Sequence, residues 1–323
     1  MRQTRRRFLI GACAFAWSCA QALGATRPLV IDGTAFGASW RISLPEDADT
    51  RAIRPRLEAI ITSVNRSMSP FQPSSEISGF NNGTFTHWMP VSAQTQYVVA
   101  QALRIAHLTN GAFDPTIGAT VGRYGFGPIS RHAEGNYKDI ALKKKAIKKA
   151  FPGMSVDLCG IAKGYALDRM VHALDDLGIS NYLIELGGEV VARGQHPSNR
   201  VWQVGIEHPI PEPISFRHIV HLRNEALASS GDGVNGYTFS GRRYGHIIDP
   251  RALAPADNGI ASVSVIAPTA ILADALATAL FVMGPKAGPA FATQEALPAL
   301  FVLRHGHDFK DIMTHTFTDR LLV

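Results

Sequence analysis

An acid within an otherwise apolar stretch is the first feature of this sequence that could carry chemistry. Residues 271–284 read ILADALATALFVMG, in which the only charged side chain is Asp274 and Thr278 lies four positions later. Residues at i and i+4 share one face of a helix. A carboxylate beside a hydroxyl suits Mg²⁺, with a backbone carbonyl, water and a substrate phosphate as further ligands. The alternative is a structural aspartate that a neighbouring backbone group holds, because burying a bare carboxylate is costly.

A lysine between glycines marks a second stretch, SVDLCGIAKGYALDRM over residues 155–170. Gly160 and Gly164 flank Lys163 at the start of a predicted helix, shortly after Asp157. Glycines let the backbone approach a ligand closely, and a lysine near a helix start can meet a phosphate. The spacing matches neither a Walker A nor a dinucleotide-binding pattern. The alternative is an ordinary helix start with an exposed lysine.

A histidine follows a predicted apolar strand in RRYGHIIDPRALAP, residues 242–255. His246 precedes a turn set by Asp249 and Pro250. A histidine in this place could orient a substrate or move a proton, or it could be a structural residue.

Two further stretches are predicted to be loops. Residues 110–127, NGAFDPTIGATVGRYGFG, are rich in glycine and carry the turn signal Asp114 and Pro115. Residues 67–83, SMSPFQPSSEISGFNNG, place Phe71 and Phe80 among polar residues. Aromatic side chains in such a loop can stack on a planar ring, or they can pin the loop to the core.

The surrounding pattern predicts an α+β fold with a largely antiparallel sheet, because strands cluster between helices without a steady βα alternation. Helices are predicted over residues 48–69, 92–111, 138–151, 161–179 and from about 270 onward, with Ser92 and Thr269 as N-caps. The stretch 138–151 is interpreted as a basic helix with solvated lysines. Strands are predicted over 38–44, 181–186, 201–206, 216–222, 226–231, 261–267 and 298–304, with a hairpin turned at Ser240 and Gly241.

The N-terminal segment is interpreted as an export signal rather than part of the fold. Basic residues precede an apolar run over residues 8–17, which is too short for a typical membrane span, and AQA at 20–22 offers a cleavage site. The paired Arg5 and Arg6 before Phe8 and Leu9 favour a twin-arginine signal over residues 1–25, with an ordinary secretory signal as the alternative. Cys19 in AWSC matches a lipoprotein anchor poorly. The predicted destination is the periplasm.

Composition limits which classes of protein the mature chain, residues 26–323, can belong to. The 323 residues are 46% apolar and 18% charged, which is typical of a soluble globular protein. Removing residues 1–25 removes four arginines and lowers the formal charge from +6 to +2, so the charge does not indicate nucleic-acid binding. Of three cysteines only Cys159 remains, which excludes an internal disulfide.

Taken together, these motifs resemble, in their residues and their order, those of the FAD:protein FMN transferases, the ApbE-type flavinyltransferases. The segments that carry the resemblance run from Met68 to Leu280: MSPFQPSSEISGFN, GAFDPTIGATVGRYGFG, VDLCGIAKGYALDRM, YLIELGGEVVARG, SSGD, YGHIIDP and ADALATAL. The resemblance implies a flavinyltransferase domain over 26–323, with an FAD cleft between two sub-domains. It implies transfer of FMN from FAD to a threonine or serine hydroxyl of an acceptor protein, with release of AMP.

The resemblance also implies residue roles. Asp274 and Thr278 match the Mg²⁺-binding side chains, and the carbonyl of Gly160 matches a backbone ligand. His246 matches a functionally important histidine. The positions that match FAD contacts are Phe36, Phe71, Ala112, Phe113, Asp114, Asp157, Lys163 and Ile248. The acceptor hydroxyl needs a proton acceptor, for which Asp274, His246 and water remain open.

Two departures from the family pattern affect the edges of the nucleotide pocket. Gly233 stands where the family often has tyrosine, and Phe36, Gly37 and Ala38 replace an MGT-like motif. Family acceptors look like flavin-carrying subunits of membrane redox complexes and periplasmic FMN-domain reductases. Alternative functions are hydrolysis of FAD to FMN and AMP, and a flavin-binding assembly protein without catalysis.

Overall fold

A computed structural model of the protein describes residues 28–129, 133–210, 215–233, 235–306 and 308–322. The predicted signal peptide lies outside these residues. The strands are β1 Leu29–Ala35, β2 Ala38–Leu44, β3 Met89–Pro90, β4 Ile140–Lys143, β5 Ala146–Lys149, β6 Tyr182–Leu186, β7 Glu189–Arg193, β8 Trp202–Glu207, β9 Phe216–Leu222, β10 Ala226–Gly231, β11 Gly236–Phe239, β12 Arg242–Gly245, β13 Ile248–Asp249, β14 Ala254–Pro255, β15 Ile260–Ala267, β16 Ala299–His305 and β17 Asp308–Met313. The helices are α1 Thr50–Met68, α2 Glu76–Asn82, α3 Ala93–Leu108, α4 Gly118–Arg123, α5 Ala162–Asp175, α6 Ala270–Gln294 and α7 His315–Thr318.

The main sheet has eight strands in the order β1-β2-β6-β7-β10-β15-β16-β17. Every neighbouring pair is antiparallel. The α+β class with a largely antiparallel sheet is therefore confirmed.

Both faces of this sheet are buried, and alternation along each strand separates them. On β6, Ile184 faces the larger core, which also includes side chains of α1, α3, α5 and α6, whereas Leu183 faces a smaller core. The smaller core includes Val204 and Val220 of the two-stranded sheet β8–β9. Because side chains alternate with a period of two, Glu189 and Val191 on β7 lie on the helical face.

Helix α6 is the apolar helix of the larger core. By length and composition it could cross a membrane, but most of its residues are buried against the sheet and its neighbouring helices. It bends at Gly284, whose φ of 83° is left-handed, immediately before Pro285. Its first backbone N–H groups are capped from another helix: Asp168 of α5 accepts hydrogen bonds from the amides of Ala270 and Ile271 at 2.8 and 2.9 Å.

The predicted cap of this helix is only half right. Thr269 is the N-cap residue by position, but its hydroxyl makes no capping hydrogen bond, because Asp168 already takes the amides of the first turn. Ser92 is confirmed as the N-cap of α3, since its Oγ accepts from the amide of Thr95.

The predicted basic helix over 138–151 is wrong. The segment forms a short 3₁₀ turn, Tyr137–Asp139, and then the hairpin β4–β5, which pairs with β3. Lys145 turns the hairpin at a φ of 53°. Lys149 is fully buried rather than solvated, and its Nζ donates to the carbonyls of Phe80 and Met154 at 2.7 and 3.0 Å.

A smaller difference concerns residues 67–83, which are not wholly a loop because α2 begins after Ser75. His246 follows β12, an exposed strand rather than an apolar one.

Candidate active site

Helices α5 and α6 come into backbone contact at one glycine. A Cβ atom on Gly164 would lie 2.4 Å from the carbonyl oxygen of Ala270, so no other residue fits there without displacement. At this point the Gly164 amide donates to Oδ2 of Asp274 at 3.0 Å. Asp274 is buried, with 5% of its surface exposed. The close approach of the helices therefore explains how an acid is tolerated inside an apolar helix.

A second oxygen lies one turn along α6. Thr278 Oγ1 is 3.1 Å from Oγ of Ser230, at the end of β10. A Cβ on Gly160 would lie 3.7 Å from the same Thr278 oxygen and 3.3 Å from the ring of Phe113. The predicted metal residues Gly160, Asp274 and Thr278 are thus brought together, with Phe113 beside them.

A lysine and a glutamate border this cluster. Nζ of Lys163 is 2.5 Å from Oε1 of Glu189. Only 3% of the Glu189 side chain is exposed, against 31% for Lys163. Burial opposes the charge on Lys163, but the carboxylates of Glu189 and Asp274 outweigh it and hold the pKa of Lys163 above its ordinary value.

The ionised form of Glu189 is disfavoured by its surroundings. Burial raises the pKa of Glu189 to about 7; the Lys163 charge opposes this rise and the Asp274 charge adds to it. Oε2 of Glu189 is buried and has no hydrogen-bond partner among the described residues. Burial likewise raises the pKa of Asp274, against the charge of Lys163 and the hydrogen bond from Gly164.

Two hairpin turns meet beside Lys163. The β6–β7 turn consists of Gly187 and Gly188, both at positive φ, and a Cβ on Gly187 would lie 3.0 Å from Cβ of Ala38 and 3.7 Å from Cδ of Lys163. Ala38 follows the β1–β2 turn, in which Phe36 has a φ of 54°. The fold therefore places the Phe36 turn next to the lysine.

Asp114 and Asp157 stabilise the loops next to Phe113. Asp114 accepts hydrogen bonds from the amide and hydroxyl of Thr116 and from the amide of Tyr137. Burial raises the pKa of Asp114, and these hydrogen bonds oppose the rise. Asp157 donates its amide to the Pro115 carbonyl at 2.7 Å, and its Oδ1 accepts from the amide of Cys159 at 2.9 Å. Both aspartates thus shape the loop that carries Ala112 and Phe113.

His246 lies close enough for the charge of Lys163 to affect it. Its Nδ1 is 3.1 Å from the carbonyl oxygen of Asn235. Because a carbonyl only accepts, Nδ1 carries the proton and Nε2 keeps its lone pair. Burial lowers the pKa of His246; the Asn235 hydrogen bond opposes this, and the Lys163 charge adds to it.

Two predicted FAD contacts lie at the margins. Ile248 is buried in β13, two residues after His246. Phe71 is 63% exposed on the segment between α1 and α2, so its ring is available to a ligand rather than packed in the cluster. The roles of all these residues in binding or catalysis remain predictions.

Comparison with known proteins identifies the family. The sequence profile described as "ApbE family" matches residues 36–301. The chain belongs to the ApbE family. The family assignment made from the sequence is therefore confirmed.

Individual ApbE relatives match over nearly their whole length. An FAD:protein FMN transferase of Vibrio cholerae is 33% identical over 89% of this chain and 91% of its own, and that of Escherichia coli K12 is 30% identical over 92% and 90%. Among solved structures, the flavin transferase ApbE from Vibrio cholerae superposes with a TM-score of 0.83 at 32% identity, over 91% of this chain and 99% of its own. The apo flavinyl transferase ApbE of Pseudomonas stutzeri has a TM-score of 0.82 at 28% identity, over 91% and 96%.

The oxygen cluster of this ApbE chain fits a magnesium ion bound together with substrate. The described residues include no group of three His, Cys, Asp or Glu side chains that could hold a metal. Asp274, Thr278 and the Gly160 carbonyl provide only oxygen donors, the type that Mg²⁺ prefers, and leave positions for phosphate and water. The one hydrogen bond that the described residues give Asp274 occupies Oδ2, so Oδ1 can serve a ligand.

Sequence reasoning missed three residues that build this site in the ApbE fold: Glu189, Ser230 and Asp168. Glu189 stands in the quoted segment YLIELGGEVVARG, where an acid after two glycines looks like an exposed turn residue. The available signal was a second acid, after Glu185, in a hairpin that is otherwise largely apolar. Nothing in the sequence links Ser230 to Thr278 or Asp168 to Ala270, since those pairs are far apart along the chain.

Proposed function

We propose that this protein is an FAD:protein FMN transferase that moves the FMN half of FAD onto a threonine or serine hydroxyl of an acceptor protein and releases AMP. The observation that carries the proposal is the cluster of Asp274, Thr278 and Gly160 oxygens beside the Lys163 ammonium. Such a site combines hard-oxygen ligands with a cation and so suits a pyrophosphate with Mg²⁺. The names and the near-complete coverage of the relatives support the same activity.

In the proposed complex the residues around the cluster bind FAD. Lys163 neutralises pyrophosphate charge, and Glu189 holds its ammonium in place through the 2.5 Å ion pair. Phe36 and Phe71 offer rings against the planar parts of FAD. Asp274, Thr278 and the Gly160 carbonyl would hold Mg²⁺, which when bound neutralises charge on the pyrophosphate.

The proposed reaction is a displacement at phosphorus. The acceptor hydroxyl oxygen bonds to the phosphorus of the FMN half, the bond from that phosphorus to the bridging oxygen breaks, and AMP leaves with this oxygen. The hydroxyl proton has to move to a base. The residues serve mainly to position the reacting groups and to stabilise charge, as phosphoryl transfer requires.

His246 is the proton acceptor that the geometry favours. The Asn235 carbonyl holds its Nδ1–H, so Nε2 presents a lone pair, and its lowered pKa keeps the ring neutral near pH 7. Asp274 suits this task less well, because its carboxylate accepts from Gly164 and is assigned to the metal. His246 and Asp274 thus take separate catalytic roles, base and metal ligand.

We also propose that the protein works in the periplasm after export by the twin-arginine route. The paired arginines and the short apolar run at residues 1–25 support this location. The acceptor is then a periplasmic or membrane-associated redox protein.

The decisive experiment is incubation of the mature chain with FAD, Mg²⁺ and the isolated FMN-carrying domain of a membrane redox-complex subunit. The expected result is a fluorescent acceptor band whose mass rises by the FMN moiety, in step with AMP release. A domain whose target threonine is replaced by valine is the control and should stay unlabelled. Release of free FMN and AMP without labelling would instead indicate hydrolysis, and bound FAD without turnover would indicate an assembly protein.

A further inference from the structure

An aromatic hairpin begins and ends at the candidate site. The hairpin β11–β12 lies between Ser230, which contacts Thr278, and His246. It is not part of the main sheet. Its base is fastened at both ends: the His246 amide donates to the Asn235 carbonyl at 3.1 Å, and Arg243 donates to the Gly233 carbonyl at 3.1 Å.

One face of the hairpin is a continuous row of rings. Tyr237 and Tyr244 are cross-strand partners and stack at 5.3 Å between centroids. Phe126 stacks on Tyr237 at 5.5 Å, and Tyr124 stacks on Tyr244 at 6.2 Å. Phe126 also contacts the His246 ring edge-on at 6.3 Å. These stacks anchor the base of the hairpin next to the histidine.

The same face continues to an exposed tip. Phe239 lies two residues after Tyr237, so it points to the same side, and it is 66% exposed. Its cross-strand partner Arg242 lies over the Tyr244 ring at 5.5 Å. We define the aromatic strip as Tyr124, Phe126, Tyr237, Phe239 and Tyr244. Phe239 is four residues along β11 from Asn235, which lies level with His246, a distance of about 13 Å at the usual rise.

We propose that the aromatic strip is the docking surface for the acceptor protein. This inference rests on the proposed function, because a transferase whose second substrate is a protein needs a protein-binding surface that adjoins its proton acceptor. The strip runs from His246 outward, and aromatic residues and arginine are the types that interface cores favour. None of the residues assigned to FAD belongs to the aromatic strip. The strip is therefore available to the second substrate.

The occupant of the aromatic strip is the acceptor segment around the target hydroxyl, with an apolar side chain packed against Phe239. The exposed ring would lose water contact on binding, which favours association. Arg242 and Arg243 already pair with Asp257 and Asp232, so the apolar ring rather than net charge should dominate affinity.

The test compares Phe239→Ser with a matched control, Ile219→Ser. Ile219 is 46% exposed on β9, whose sheet covers the opposite face of the main sheet from α5 and α6. Transfer rates are measured against the concentration of the isolated FMN-carrying domain, and FAD affinity by fluorescence titration. Phe239→Ser should raise KM for the acceptor about tenfold or more, the size of an interface hot spot, and leave FAD affinity and kcat near wild type. Ile219→Ser should match wild type.

Three outcomes would overturn the inference. An unchanged acceptor KM in Phe239→Ser would remove the strip from docking. A weakened FAD affinity would make the hairpin part of the nucleotide pocket instead. An equal rise of the acceptor KM in both folded variants would show that Phe239 has no specific part in docking. Absence of labelling by the wild-type chain would contradict the proposed function itself. This result differs from the three above, in which the wild-type chain labels the acceptor.

Discussion

Lys163 and Glu189 form an ion pair at 2.5 Å although they lie on different elements, the first turn of α5 and the first residue of β7. The glutamate is almost wholly buried, while 31% of the lysine side chain is exposed. The pair therefore joins a partly exposed cation to the sheet. Each residue should matter differently for stability and for binding.

The first prediction separates these two contributions. Lys163→Met leaves Glu189 buried without its partner and should lower the free energy of unfolding by about 1–3 kcal/mol. The double variant Lys163→Met with Glu189→Gln should recover most of this stability but not FAD affinity, because the charge that we propose to bind the pyrophosphate is still missing. Urea unfolding and FAD fluorescence titration measure the two quantities. Recovery of FAD affinity in the double variant would contradict the assigned role of Lys163.

Asp274→Asn tests the proposed metal ligand with little change in shape. An asparagine oxygen can still accept from the Gly164 amide, so stability should stay within about 1 kcal/mol of wild type. Transfer should fall about 100-fold or more, the scale of losing one charge-stabilising group. The measurement is labelling rate as a function of Mg²⁺ concentration. A variant with normal Mg²⁺-dependent rates would refute the assignment.

The contact between α5 and α6 predicts opposite effects for two helical glycines. Gly164→Ala should destabilise the protein by roughly 1–3 kcal/mol, because its Cβ would lie 2.4 Å from the Ala270 carbonyl oxygen. Gly79→Ala in α2 should be neutral or stabilise by up to about 1 kcal/mol, since its Cβ would meet only the Met89 methyl at 3.7 Å. Chemical denaturation of both variants checks this. Similar losses in both would mean that the close helix contact is not the cause.

If His246 is the base, its protonation should set how the transfer rate falls at acidic pH. A histidine acts as a base only when its ring is neutral, and burial lowers the pKa of His246 below its ordinary value. The transfer rate should therefore be full near pH 7 and fall only as the pH drops through a value below about 6.5. His246→Ala should reduce kcat by about 10²–10⁴ and abolish this limb. An unchanged limb in the variant would assign the titration to another group.

A substitution in the β1–β2 turn should change stability and FAD binding in different ways. Phe36 and Gly37 have φ values of 54° and 76°, and Asn-Gly is the sequence that such a two-residue turn favours. Phe36→Asn should relieve about 0.5–1 kcal/mol of backbone strain, offset in part by the lost contact of the half-buried ring with the larger core. If the ring contacts FAD as the family resemblance implies, KM for FAD should rise in the same variant. Thermal unfolding and FAD titration read the two effects, and unchanged FAD affinity would exclude Phe36 from the pocket.

Local patterns predicted five of the eight strands of the main sheet, β2, β6, β10, β15 and β16, and all of these except β10 carry β-branched or aromatic residues. The strands β1, β7 and β17 were not predicted. The strand at 261–267 and the turn at Ser240 and Gly241 were found in this way and are confirmed. The failure at 138–151 has a physical cause. Lysine-rich sequence favours a helix in isolation, but pairing with β3 and the carbonyl ligands of Lys149 outweigh that preference.

The same division applies to the site. Asp274 and Thr278 could be paired from their i, i+4 spacing alone, because helix geometry is local. Glu189 could not be linked to Lys163, nor Ser230 to Thr278, because those contacts depend on how β7 and β10 pack against α5 and α6.

By itself, the sequence determined the fold class, the ApbE family and the helical face that carries Asp274 and Thr278, since these follow from periodicity and from motif order. The tertiary structure decided how the acid is tolerated and what surrounds it. Only packing at Gly164 brings an amide to Asp274, and only the sheet buries Glu189 beside Lys163. Burial and long-range contacts set charge, pKa and geometry, and these are properties that no local pattern of residues contains.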